Sequence, residues 1–357
     1  MQKNNYFKLT ANQQRTILEQ TAIRQSLPKQ AIEKDLWVTA MLQLLYSLPC
    51  SDHLVFKGGT SLSKVWRLIR RFSEDIDLAI DRAVFELEGD LTKKQVKRLR
   101  KASSLFVRDT LCQQLAEAIS QTPLKDLCQI EPEPDGEGDA TYPEPRSIFI
   151  SYQSVFDDKL DYIFPIVKIE AGARSLLEPY TETAITSIVE ETLPTINTSI
   201  ADVKVKTAIA EKTFLEKVFL LHELFSVNSF VEAHRRSRHI YDLHMMMKQG
   251  IADKAVPNDE LWQTIHHHRS TLTSMSGVDY SIDIRKNIQL IPLKESLVDW
   301  KKDYEEMASA MIYGDKPAFA ELLYSMNWLE LLFRRTEMRY IDFFEKSLED
   351  CSQNTTN

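Results

Sequence analysis

The sequence predicts an α/β (α+β) chain with a mixed sheet and flanking helices in its front half, followed by a C-terminal α-helical domain. Three observations carry this. The stretch "DHLVFKGGTSLSKVWRLIRRFSEDIDLAI" (52–80) reads as strand, glycine turn, helix and strand. Two further runs, "SIFISYQSVF" and "IFPIVKIEAG", have strand character and can pair with "DIDLAI" into a small, largely antiparallel sheet. Beyond about Ser175 the β signals thin out and apolar residues recur every three or four positions. The expected organisation is N-terminal helices over 1–50, a core over 51–175 with a basic helical insertion at 86–125, and a helical domain over 176–357.

The elements follow in order. "NQQRTILEQTAIRQ" and, after Pro28, "KQAIEKDLWVTAMLQLLYSL" are helices that need a surface to pack on. "LVFK" is a short strand stopped by Gly58 and Gly59, and "TSLSKVWRLIRRF" is the helix that leads to "DIDLAI". Residues 86–125 return to helix, basic at first and then apolar. "EPEPDGEGDATYPEP" (131–145) collects Pro, Gly and acids without periodicity, so it is a solvent-exposed loop or hairpin tip. "AIAEKTFLEKVFLLHELFS", "RRSRHIYDLHMMMKQG" and "VDWKKDYEEMASAMIY" are helices of the back half.

At 357 residues, 43% of them hydrophobic, the chain can bury one large core or two ordinary ones. No apolar run reaches the length of a membrane span and "MQKNNYFKLT" lacks a signal-peptide pattern, so a soluble, cytoplasmic protein is expected. Cys50, Cys112, Cys128 and Cys351 are scattered, without the spacing of a zinc site or a disulfide framework. A net charge of −8 disfavours indiscriminate nucleic-acid coating. The cations nevertheless cluster, at "RLIRR" (67–71), "KKQVKRLRK" (93–101) and "HRRSRH" (234–239), as suits contact with one polyanion at one place. Arg67, Arg70 and Arg71 are expected on the outer face of the helix after the glycines. "IHHHRS" (265–270) reads as a surface face, since adjacent histidines on a helix point in different directions.

Asp75 and Asp77 lie two apart on a strand, so both carboxylates leave one face and can share a divalent cation. Gly58 and Gly59 precede a helix, where backbone N–H groups can approach a phosphate. Glu170 sits on another alternating run and can face the aspartates across the sheet. Three carboxylates around Mg²⁺ suit phosphoryl or nucleotidyl transfer.

These residues carry a resemblance. "FKGGTSLSKVW" followed by "RFSEDIDL" resembles the first motif of the AbiEii/AbiGii toxin family, a branch of the DNA polymerase β-like nucleotidyltransferase superfamily that includes the MenT toxins. "VKIEAGARSLLEP" resembles that family's acidic strand, and "EKTFLEKVFLLHEL" with "RRSRHIYDL" resembles its downstream motifs. The resemblance implies a nucleotidyltransferase fold in which Gly58, Gly59 and Thr60 cradle a nucleoside triphosphate and Asp75 and Asp77 bind Mg²⁺. It makes Glu170 the third carboxylate or the base, and Lys217 the lysine that holds the triphosphate. Asp242 would orient Lys217 or an attacking group, and Ser73 falls where some relatives carry a phosphorylatable serine. Lys212 is the alternative lysine, because "EK" occurs twice; the "TFLEK" context favours Lys217.

The implied activity is that of a toxin in a toxin–antitoxin or phage-defence (abortive infection) system. It would transfer a nucleotide from an NTP to an RNA 3′ end, by analogy the tRNA acceptor stem, and so block translation. Its partners would be the NTP, the RNA and a cognate antitoxin, with no membrane. Two other readings fit the same residues: modification of a protein hydroxyl by nucleotide transfer or as a kinase, and a catalytically weak nucleotide- or partner-binding module.

Overall fold

The computed structural model describes residues 4–73, 75–158, 163–227 and 233–334. The chain forms two compact units, one of Met1–Thr213, His267–Thr273 and Ala310–Asp315, the other of Phe214–His266, Ser274–Ser309 and Lys316–Asn357.

The first unit opens with β1 (Asn4–Asn5), α1 (Ala11–Gln25) and α2 (Lys29–Leu45). Thr10 starts α1 with a capping box: its hydroxyl accepts the Gln13 N–H while the Gln13 side chain turns back to the Thr10 N–H. Helix α2 is buried along nearly its whole length, with Ile32, Leu36, Met41 and Leu42 at 1% exposure or less. It thus has the packing surface that its sequence demands, and Trp37 stacks on Tyr152 with ring centroids 4.7 Å apart.

Next come β2 (Leu54–Lys57), α3 (Gly58–Lys64), β3 (Asp75–Ile80), α4 (Lys93–Leu105) and α5 (Cys112–Ser120), the last two joined by a π-helical stretch. The sheet continues with β4 (Cys128–Pro132), β5 (Arg146–Tyr152), β6 (Ile166–Gly172) and β7 (Tyr180–Ala184). After α6 (Ile188–Thr192) come β8 (Ile196–Asn197), which pairs with β1, and β9 (Lys204–Ala208). The seven-stranded order is β4-β5-β6-β3-β2-β9-β7. Pairings β3–β6 and β2–β9 are parallel and the other four antiparallel, so the sheet is mixed and larger than the small one expected. Two of its strands, β7 and β9, lie beyond Ser175. Of residues 131–145, the first two end β4 and the rest join it to β5 as the tip of an antiparallel hairpin.

Helix α3 is shorter than its sequence suggests. It stops at Lys64 because Arg67 turns left-handed (φ 54°) and the Leu68 N–H returns to the Leu62 carbonyl at 2.9 Å. Trp66 donates Nε1–H to the Ala208 carbonyl at 3.0 Å, which pins this turn to the end of β9. Arg67, Arg70 and Arg71 are therefore not the outer face of one helix. Arg71 is 2% exposed and bridges to Ile312.

The second unit is helical. Helix α7 (Ala210–Ser226) enters it, followed by α8 (Ser237–Lys248), α9 (Ile251–Ala255), α10 (Asp259–His268), α11 (Leu297–Ala310) and α12 (Phe319–Arg334). The Asp303 carboxylate, on α11, accepts the N–H groups of Arg235 (2.6 Å) and Ser237 (3.0 Å), satisfying donors at the start of α8. His222 is buried and its Nδ1 accepts the Gln289 N–H at 3.2 Å. Burial pushes its pKa down to about 4 against an opposing pull from Glu223. It stays neutral in the fold but takes a proton below about pH 6.5 when unfolded, so its contribution is present above that pH and lost as the pH falls toward 4. Urea midpoints should therefore drop between pH 7 and pH 5, by the equivalent of about 1.4 kcal/mol per pH unit below 6.5, and His222→Gln should flatten that drop.

Cys50, Cys112 and Cys128 are free thiols, and Cys351 lies outside the described residues. No described helix is long and apolar enough to cross a membrane. The "IHHHRS" run is not wholly a surface face: His267 is exposed beside Asp90 (2.7 Å), but burial, with the charges of Arg82 and Arg269, pushes His268 down to about 3.

Candidate active site

Alternation along β3 buries Ile76, Leu78 and Ile80 and leaves Asp75 and Asp77 half-buried on the other face. The antiparallel register sets Asp77 opposite Lys57, the last residue of β2, so its side chain meets the turn that follows. Gly58 adopts φ +79°, and a Cβ built there would lie 2.0 Å from Asp77 Oδ2. Only a residue without a side chain lets the carboxylate lie over this backbone. Gly59 faces the other way: a Cβ there would lie 2.6 Å from Arg71 Nη2 and 2.9 Å from Ser73 Oγ.

Thr60, 2% exposed, fastens the turn to the strand. Its hydroxyl donates to the Asp75 carbonyl at 2.5 Å and lies 2.9 Å from Ser73 Oγ. The Ser61 hydroxyl donates to the Gly58 carbonyl at 2.8 Å. The short loop before Asp75 is thereby tied at two points to the first turn of α3.

Parallel pairing places Glu170 of β6 beside Asp77 and Lys168 beside Asp75, all four side chains on one face. Lys168 Nζ lies 2.7 Å from Glu170 Oε1. Burial works to lower the Lys168 pKa, but the hydrogen bond and charge of Glu170, with the charges of Asp75 and Glu133, outweigh it and raise it. This lysine is an element that sequence reasoning missed, although its signal was present in "VKIEAG", two residues before the acid and so on the same strand face. Among the described residues, no three His, Cys, Asp or Glu side chains gather into a metal-holding group. The donors that suit Mg²⁺ are the Asp75 and Asp77 carboxylates, because Mg²⁺ takes one or two of these and keeps its remaining positions for water and phosphate oxygens.

The two candidate lysines have different surroundings. Lys212 is fully buried and donates to the Leu176 (2.5 Å) and Leu177 (2.9 Å) carbonyls, a bond set that holds the chain after β6. Lys217, on α7 in the second unit, lies 3.0 Å from Asp242 Oδ2 of α8 and 3.3 Å from His239 Nδ1. Lys217 is 7% exposed and Asp242 0%, so the pair is a buried one in which each charge offsets the other's desolvation.

A glycine turn laid against the Asp77 carboxylate, with Asp75 on the same strand face of a mixed sheet flanked by helices, defines the chain as an α/β protein with an acidic site at the end of its central strands. The chain belongs to the AbiEii family: the model described as "Nucleotidyl transferase AbiEii toxin, Type IV TA system" matches residues 42–325. It is thus a nucleotidyltransferase-family toxin of a type IV toxin–antitoxin system, as the motif resemblance implies. Among solved structures the chain is similar to MenT4, a nucleotidyltransferase toxin from Mycobacterium tuberculosis H37Rv. That similarity has a TM-score of 0.47 and 14% identity, and covers 90% of this chain and 99% of that one. No curated protein matches the sequence.

Proposed function

We propose that this protein transfers a nucleotide from an NTP to the 3′ end of an RNA, with the tRNA acceptor stem as the acceptor that stops translation. The observation that carries the reading is the Asp75–Asp77 pair on one strand face, with the Asp77 carboxylate set directly against Gly58. In the reaction, the RNA 3′ hydroxyl oxygen bonds to the α-phosphorus, the bond to the β-phosphate breaks, and pyrophosphate leaves. Asp75 and Asp77 would hold Mg²⁺, which when bound offsets charge on the phosphate oxygens. Glu170 accepts the hydroxyl proton in this scheme, with Lys168, 2.7 Å away, fixing the position of its carboxylate. The Gly58–Gly59 backbone and Ser73 flank the phosphates, while Thr60 serves by holding the loop. Lys217 would bind the triphosphate, with Asp242 fixing its ammonium.

Helix α4 supports RNA as the acceptor. Lys94, Lys97, Arg98 and Lys101 recur at i, i+3, i+4 and i+7, all exposed, and residues 93–105 contain no acid. Leu99, Ser103 and Ser104 are buried, so the cationic stripe points outward. Lys101 lies 5.0 Å from the centre of the Tyr142 ring, and Arg100 donates to the Tyr142 carbonyl at 2.9 Å. The stripe is a track for a phosphate backbone. Lys94→Glu with Arg98→Glu should weaken transfer to RNA about tenfold or more and lower the salt dependence by about two phosphate contacts, with NTP affinity unchanged. Equal RNA transfer by this variant would make α4 only a solvated face.

Incubation with labelled NTPs, Mg²⁺ and either total tRNA or cell protein tests the whole reading. Label in RNA is expected; label in protein alone would point to protein modification, and none in either to a binding module.

A further inference from the structure

The pairing registers set the side chains of β4, β5, β6 and β3 in rows across the sheet, and paired residues share a face. One row runs Ser147, Glu170, Asp77, and the next runs Glu131, Phe149, Lys168, Asp75. A third, farther from the glycine turn, runs Gln129, Ser151, Ile166. The opposite face is the packed one, with Ile148, Ile150, Val167 and Ile169 fully buried in the core.

Phe149 is thus an aromatic ring on the same face as the carboxylates, on the strand next to Glu170. Both of its cross-strand partners, Glu131 and Lys168, are charged, and it is not among the side chains that pack on the core of the opposite face. Phe149 itself is half-buried, while Gln129, Glu131, Ser151 and Ile166 around it are exposed. Phe149 and Ile166 are the apolar members of these rows on β4, β5 and β6. Two such side chains fall far short of the roughly 800 Å² that a stable protein interface takes from each partner, whereas a nucleobase stacks on a single ring.

Charge favours the same occupant. Lys168 is held by Glu170 at 2.7 Å, and Glu131 stands on the other side of Phe149, so the rows repel a phosphate rather than grip it. A strand lying here turns its bases to the sheet and its phosphates to solvent, which an unpaired strand can do. Diagonal neighbours on adjacent strands are about 7–8 Å apart, which puts Phe149 within the span of one nucleotide from Glu170.

We propose that Phe149 is the platform on which the base of the acceptor's 3′-terminal nucleotide stacks, with the 3′ hydroxyl reaching Glu170. The inference rests on the RNA reading above and adds the form of the acceptor. It is an unpaired 3′ end, selected by the presence of a base more than by its identity, because every base has a π-face. Phe149 binds substrate here and takes no part in the chemistry.

A stem-loop RNA with a short unpaired 3′ tail, and the same RNA with an abasic 3′-terminal residue, test this by fluorescence anisotropy in EDTA and by transfer kinetics with Mg²⁺. The parent should bind the intact tail about tenfold or more tightly than the abasic one. Phe149→Ala and Phe149→Leu should lose that preference, with the KM for NTP and the salt dependence of RNA binding unchanged, and Phe149→Tyr should keep it. Leucine retains the apolar bulk, so the same loss there separates the ring from any effect on the fold. Equal binding of intact and abasic tails by the parent, or a preference that survives in both the alanine and the leucine variant, would overturn the platform. A base preference that depends on Phe149, without transfer of label to RNA, would count against the transfer reading alone.

Discussion

Asp77→Ala is expected to reduce nucleotide transfer at least about a thousandfold, equivalent to about 4 kcal/mol of barrier, and to abolish growth arrest on expression. The expectation follows from position. Asp77 lies at the end of the β2–β3 ladder, paired with Lys57, with its carboxylate over the Gly58 backbone and Glu170 at its side. Stability should be unchanged or slightly raised, since one of two close carboxylates is removed. Thermal unfolding run beside the transfer assay separates lost chemistry from lost fold, and full transfer by the variant would end the assignment of this strand as the active site.

Gly58→Ala should be the second most damaging change, for two separable reasons. A left-handed φ costs a non-glycine residue about 1–2 kcal/mol, and the new methyl would lie 2.0 Å from Asp77 Oδ2. The carboxylate must move, and a displacement of this order at a reacting centre costs about a hundredfold in rate. Gly89 is an internal control, with φ +66° and nothing within 4 Å of a Cβ built on it. Gly89→Ala should show the backbone cost in its melting temperature and none of the loss in transfer. Equal activity losses in the two variants would mean that the Gly58 effect is strain alone.

Much of this site was legible because it is local. Strict alternation in "DIDLAI" fixes which face the aspartates share, and a double glycine between a strand and a helix marks a close approach of backbone to something else. Glu170 was readable for the same reason, as an acid on an alternating strand. Lys168 escaped because a lysine within a strand reads as an edge decoration; its meaning appears only when the parallel register puts it beside Asp75. The end of α3 was illegible for a different reason. "KVWRLIRRF" has helical periodicity, but the Trp66 indole finds the Ala208 carbonyl and Arg67 accepts a left-handed turn, so tertiary bonding overrides a local preference. That same override moves Arg71 from an outer face into the interior. Strands β7 and β9, short and rich in Thr, Lys and Glu, carry little hydrophobic signal and are strands because a neighbour offers them a ladder.

The parallel pairing of β2 with β9 also has a temporal meaning. Phe56 finds its partner in Thr207, and β3 finds β6, so both neighbours of the central hairpin come from chain made long after it. At typical translation speeds an interval on the order of ten seconds separates them. A nascent chain that already displays Asp75 and Asp77 has neither Glu170 beside them nor β9 to hold the Trp66 turn. The acidic face is therefore assembled only when most of the first unit has been synthesised.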